Sequence, residues 1–200
     1  MKFTTLFLGH HDRRCVDRIT EALDGMLAAM RLWTVLSISS AELRLLWDLF
    51  EGRDVGANDL VPAGTEPLKP VIHHGKNSMA AFRSFQKRFA RADDGSDNIW
   101  GYNHHTFRWA TGPGYFVGHP AAEASSPAPF LLDYTELPRN KPPDWPDIAP
   151  SSSRLGWFVY GELADYLRRV SAHVSIGRAY RSHKPLDNWF ILCREPADAG

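Results

Sequence analysis

Apolar positions in the first quarter of the chain recur at helical spacing. Val16, Ile19, Leu23, Met26, Leu27 and Met30 fall three and four residues apart, which puts them on one face of a helix capped by Asp12. Ser39 followed three residues later by Glu42 makes a capping box. Leu43, Leu46, Trp47 and Phe50 supply the stripe of a second helix, and Gly52 stands where a left-handed C-terminal cap belongs. Trp33 to Ile38, between the two, fits either a strand or a helix end. A third helix is predicted over 78–91, started by Asn77 or Ser78, with Met79, Phe82, Phe85 and Phe89 on one side. A fourth, capped by Ser153, carries Tyr160, Leu163, Leu167 and Val170; Glu162 and Asp165 precede Arg168 and Arg169 along it, the order a helix dipole prefers.

Other stretches read as strands. Residues 3–8 form a short one. Between Ile99 and Val117, aromatic and β-branched residues broken by Gly, Pro and Asn predict two or three more. Phe130 to Tyr134 is a further strand, and Val174–Tyr180 with Asn188–Arg194 makes an antiparallel hairpin around a longer loop. Residues 55–70 are a connection. Half of the 14 prolines fall in 127–150, around Trp145, which suits an ordered extended wrap. No repeat is present. The expected architecture is α+β: one domain over 1–200, with a helical front at 1–53 and a body at 71–200. An antiparallel sheet of about five or six strands would be packed by about four helices.

Composition narrows the function. With 23 basic against 23 acidic side chains and 44% apolar content, the chain is an ordinary globular one that buries roughly 70% of its unfolded surface. Zero net charge argues against a nucleic-acid coat or a polybasic membrane binder. The longest stretch free of Asp, Glu, Lys and Arg, 109–122, falls short of the ~20 residues a membrane helix needs. The N-terminal residues have no signal-peptide cleavage site and read as mature protein. Cys15 and Cys193 stand alone, so no thiolate metal cluster or redox pair is expected, and a reducing cytoplasm is the default.

The segment from Trp100 to His119 is densest in candidate chemistry. Trp100, Tyr102, Tyr115 and His104 suit the wall of a small-molecule pocket, although aromatic strands also make ordinary sheet core. For acid–base work the candidates are His119 and Asp133, with Glu136 near the end of the same strand as Asp133. Lys76, in Gly75-Lys76-Asn77-Ser78 at a helix start, would attract an anion, and Arg83, Lys87, Arg88 and Arg91 extend that positive charge. Arg178 shares a strand face with Tyr180 and needs a carboxylate or a ligand as partner. Three adjacent His pairs lack metal-site spacing, because neighbours on a strand face opposite ways; no metal and no cofactor is expected. Neither Cys sits in a nucleophile motif. These features predict a domain binding a small anionic or aromatic ligand through Lys76, Trp100, Tyr102, His104, Tyr115 and Arg178. Non-covalent catalysis by His119 and Asp133 is the reactive version of that reading. The alternative is a protein–protein interaction module without catalysis, docking through the basic helix 78–91 and the proline-rich segment.

Overall fold

The computed structural model describes residues 13–79, 83–104, 113–122, 126–148 and 162–196; the strand expected at 3–8 lies outside them. Four helices, α1 (Arg13–Asp24), α2 (Ala28–Ser37), α3 (Ser40–Leu49) and the single turn α4 (Ala57–Leu60), precede eight strands. These are β1 (Val71–Asn77), β2 (Ser84–Arg91), β3 (Ile99–His104), β4 (Tyr115–Pro120), β5 (Phe130–Asp133), β6 (Leu163–Arg169), β7 (Val174–Arg181) and β8 (Lys184–Arg194). Each strand pairs antiparallel with the next, and β8 returns to β1 from His73↔Arg194 to Asn77↔Phe190. The result is a closed up-and-down barrel, not the open sheet of five or six strands that the sequence suggested. Closure leaves no unpaired edge.

Two of the expected helices are strands over their described residues, the expected cap Ser153 and Tyr160 lying outside those. Residues 84–91 form β2 and 163–169 form β6. Phe85 and Phe89 are four apart, as are Leu163 and Leu167, and an even separation puts a pair on one face of a strand as readily as of a helix. Their partners decided the matter: β2 lies between β1 and β3, and β6 between β5 and β7. At the front, the capping box forms as expected, with Ser39 N donating to Glu42 Oε2 at 2.7 Å and Glu42 N to Ser39 Oγ at 3.3 Å. The first long helix breaks in two after Asp24, and Trp33 to Ile38 belongs to the end of α2. The β7–β8 hairpin turns on only Ser182 and His183, both at positive φ (49° and 62°), the pattern of a two-residue type I′ turn.

The inner face of the barrel is filled by Phe89, Ile99, Phe116, Phe130, Leu132, Tyr134, Leu167, Phe190 and Leu192, and Val55, Leu60 and Val61 pack into the same cluster. Outside, α1–α3 cover β6–β8 through Ile19, Leu23, Val35, Leu43 and Leu46 against Tyr166, Ile176 and Ile191. The proline-rich segment covers β3 and β4, seating Trp145 against Tyr102 and Tyr115.

Inward-facing glycines make room for the rings. A Cβ at Gly177 would stand 2.2 Å from Cζ of Phe190; one at Gly101 would stand 2.4 Å from Cζ of Phe116 and 2.6 Å from the carbonyl oxygen of Arg88. Both Gly→Ala variants should lose about 1–3 kcal/mol in urea unfolding. Shortening the ring (Phe190→Leu) should recover part of the loss at Gly177. Phe116→Leu should not do so at Gly101, because the Arg88 carbonyl is backbone and stays in place. Equal rescue at both sites would contradict this packing account.

Candidate functional site

His119 and Asp133 sit on neighbouring strands with side chains on the outer wall, since Phe116 and Leu132, three and one residues away respectively, belong to the interior cluster. Val117 pairs with Asp133 and His119 with Leu131, which sets the two functional groups on a diagonal within side-chain reach. Glu136 follows just past β5. One ring nitrogen of His119 and one carboxylate oxygen each from Asp133 and Glu136 lie within 4.8 Å of one another.

Hydrogen bonds fix how these groups present themselves. His119 Nδ1 is 2.8 Å from the carbonyl oxygen of Pro120, an acceptor only, so Nδ1 carries the proton and Nε2 the lone pair. Nε2 is buried and has no partner among the described residues. Asp133 Oδ1 accepts from Thr135 N at 2.7 Å and Thr135 Oγ1 at 2.6 Å, a turn that leads the chain toward Glu136. The arrangement therefore gathers an imidazole and two carboxylates, a set that suits a proton donor or a cation.

The other residues singled out in the sequence distribute around the same wall. Trp100 packs with Ala92, Val117 and Leu68. Tyr102 and Tyr115 pair across β3 and β4, with ring centroids 5.5 Å apart, and both lean on Trp145. Tyr102 Oη meets His104 Nδ1 at 3.2 Å, while Tyr115 Oη donates to the Pro146 carbonyl and burial raises its pKa. These rings form a buried aromatic layer beside the His119 group. Lys76 lies within β1 instead of at a helix start, so no helix dipole supports it; partial burial and Arg83 lower its pKa while Glu42 raises it. Arg178 does face out with Tyr180, donating from Nε to the Leu186 carbonyl at 3.0 Å and stacking 4.8 Å over Trp189. Its carboxylate neighbour is Asp187, at 3.9 Å, on the surface.

Lys87, Asp165 and Arg168, and with them Arg31, escaped the sequence reading as buried groups. Lys87, read as part of a basic helix face, is 2% exposed and bonded to Asp165 in the barrel interior. Arg168, read as the last turn of a helix, is 7% exposed. A period-two count through Phe85, Lys87 and Phe89 would have placed the lysine on the apolar face. Among the described residues no helix is long and apolar enough to cross a membrane. No protein family, curated protein or solved structure matches this chain.

Proposed function

We propose that the protein is a small-molecule-binding barrel domain whose reactive site is the His119–Asp133–Glu136 group on the outer wall. One observation carries this reading: a histidine whose tautomer is already set has one ring nitrogen within 4.8 Å of two carboxylates, and its Nε2 is buried without a partner among the described residues. A ligand with an acidic N–H or O–H would place its proton against Nε2, and the adjacent carboxylates would stabilise the imidazolium that results. The aromatic layer of Trp100, Tyr102 and Tyr115, pinned by Trp145, supports this site as a rigid flank. The docking alternative loses its main surface, since 84–91 is a strand whose Lys87 points into the barrel.

A second reading has its own observation. A backbone carbonyl holding Nδ1–H is how metal-binding imidazoles are commonly oriented, and three nitrogen and oxygen donors within 4.8 Å of one another suit a divalent cation. The two readings separate in one thermal-unfolding experiment on the full chain, with amine- and phenol-bearing fragments in one arm and Mn²⁺ or Zn²⁺ in the other. A stabilising response that survives EDTA supports the proton-acceptor reading; one that EDTA erases supports the cation. In either case His119→Ala should remove the response. Asp133→Asn, which keeps an oxygen for Thr135 but not the charge, should weaken it by about tenfold or more. Responses that His119→Ala leaves intact would defeat both.

A further inference from the structure

Helix α2 differs from its neighbours along the chain in carrying no charge on its outer side. α1 exposes Arg14, Asp17, Arg18 and Glu21, and α3 exposes Arg44 and Asp48, as solvated helices do. From Gly25 to Ser40 the one charged side chain is Arg31. It is turned inward, 5% exposed, and donates from Nη1 to the Leu23 carbonyl at 3.2 Å. What α2 presents outward is apolar. Leu27, at its N-cap, is 78% exposed, Met30 56% and Trp33 67%, and Leu36 is half-buried one step further on. Single exposed apolar side chains are ordinary, but a row of them on an uncharged face marks a contact surface.

The row advances in steps of three through Leu27, Met30, Trp33 and Leu36, and it ends at exposed Asp24 on one side and exposed Ser39 on the other. Its order is nearly the same in both directions, with a leucine at each end and the two largest side chains in the middle. Two copies of α2 laid antiparallel about a two-fold axis between Met30 and Trp33 would set Met30 of each against Trp33 of the other, and Leu27 against Leu36. A two-fold contact makes each such pair twice, and a thioether against an indole is a favourable one. Charge points the same way. A surface paired with itself opposes like to like, so a charged face repels its own copy, and this face has no charge to repel. A lipid surface fits less well, because interfacial helices flank their apolar side with Lys or Arg, and Asp24 and Ser39 stand at the ends of this row. With the small residues Ala29 and Ser37 beside the row, two copies would bury on the order of 1,000 Å², the lower limit for a specific interface. Such a dimer separates on dilution.

We propose that α2 is a self-association surface, through which two copies of this chain pair antiparallel with Met30 of each against Trp33 of the other. The pairing is independent of the His119 group, since α2 packs on β8 and β1 while His119 is on β4.

The experiment is sedimentation equilibrium of the full chain over a dilution series reaching about 1 mM, the range in which weak complexes form. The wild type should pass from monomer to dimer. Met30→Glu and Trp33→Lys should each weaken the dimer at least tenfold, by setting a charge against an apolar side chain of the other copy. Both positions are exposed, so the urea midpoint of each variant should match the wild type. An equimolar mixture of the two variants should dimerise more tightly than either alone, because the glutamate of one copy then meets the lysine of the other while a Met30–Trp33 pair survives. A chain monomeric throughout would overturn the proposal, and co-sedimentation of that monomer with phosphatidylcholine vesicles would name lipid as the occupant instead. A dimer that neither variant weakens, or a mixture no tighter than its components, would overturn it as well.

Discussion

Lys87→Met should lower the unfolding free energy by about 3–5 kcal/mol, the usual loss when one member of a buried ion pair is removed. Lys87 Nζ lies inside the barrel, 2.9 Å from Asp165 Oδ2 and 2.8 Å from Asn103 Oδ1, with a further bond to Tyr134 Oη. Tyr134 Oη in turn donates to Asp165 Oδ2 at 2.9 Å. Rings of Phe116, Phe190 and Tyr134 stand 5.0–5.2 Å from the ammonium, close enough for cation–π attraction. Burial pulls the lysine pKa down and Asp165 pulls it back up. Methionine fills the volume but leaves the Asp165 carboxylate with the phenol as its one remaining donor in this network. The cost is therefore that of a stranded carboxylate, and the double variant Lys87→Met/Asp165→Leu should recover much of it, since an apolar pair of similar volume is often no worse than a buried ion pair. Urea unfolding of the two single variants and the double measures the coupling. Additive losses would show that the ion pair does not act as a unit.

How far such features could be read from the chain depended on the range of the forces that set them. Local signals were legible. Ser39 and Glu42 cap α3 within one turn, and β3, β4, β5, β7 and β8 fall where aromatic and β-branched runs are bounded by turn residues. Long-range signals were not. Closure depends on β1 meeting β8 across more than a hundred residues, and nothing near His73 or Arg194 announces it. The helix–strand errors at 84–91 and 163–169 arose because Phe85 and Phe89, and Leu163 and Leu167, satisfy both periods, so the charged residues between them were set on a solvated face. Reading Lys87, Asp165 and Arg168 as surface groups followed from that one error. His119, Asp133 and Glu136 were identifiable as residue types with useful chemistry, but their convergence depends on the β4–β5 register and the turn at Thr135.

Stability should fall as pH drops from about 6.5 toward about 3, and His73 should account for a slope of up to about 1.4 kcal/mol per pH unit. His73 is 2% exposed on the inner face of β1. Its Nε2 is 2.8 Å from the Leu60 carbonyl, so Nε2 carries the proton of the neutral ring; Nδ1 is buried with no partner, and the ring meets Phe89 edge-on at 4.8 Å. Protonation would put an N–H on Nδ1 with nothing to receive it, and a charge beside Arg194. Burial accordingly pulls the pKa from 6.5 to about 3, with Arg194 and His74 lowering it further and the Leu60 bond opposing them. Between those two values the unfolded chain binds a proton that the folded chain refuses, so each step toward acid favours unfolding. The contribution is intact above about 6.5 and is lost progressively below it. His173 shifts in the same direction, mainly through burial, so wild-type acid sensitivity alone does not isolate His73. His73→Gln does: glutamine can still donate to Leu60 but does not titrate. Urea unfolding at a series of pH values should give the wild type a steeper acid slope than His73→Gln by up to one proton's worth. Parallel slopes would mean that the ring is not held neutral by its burial.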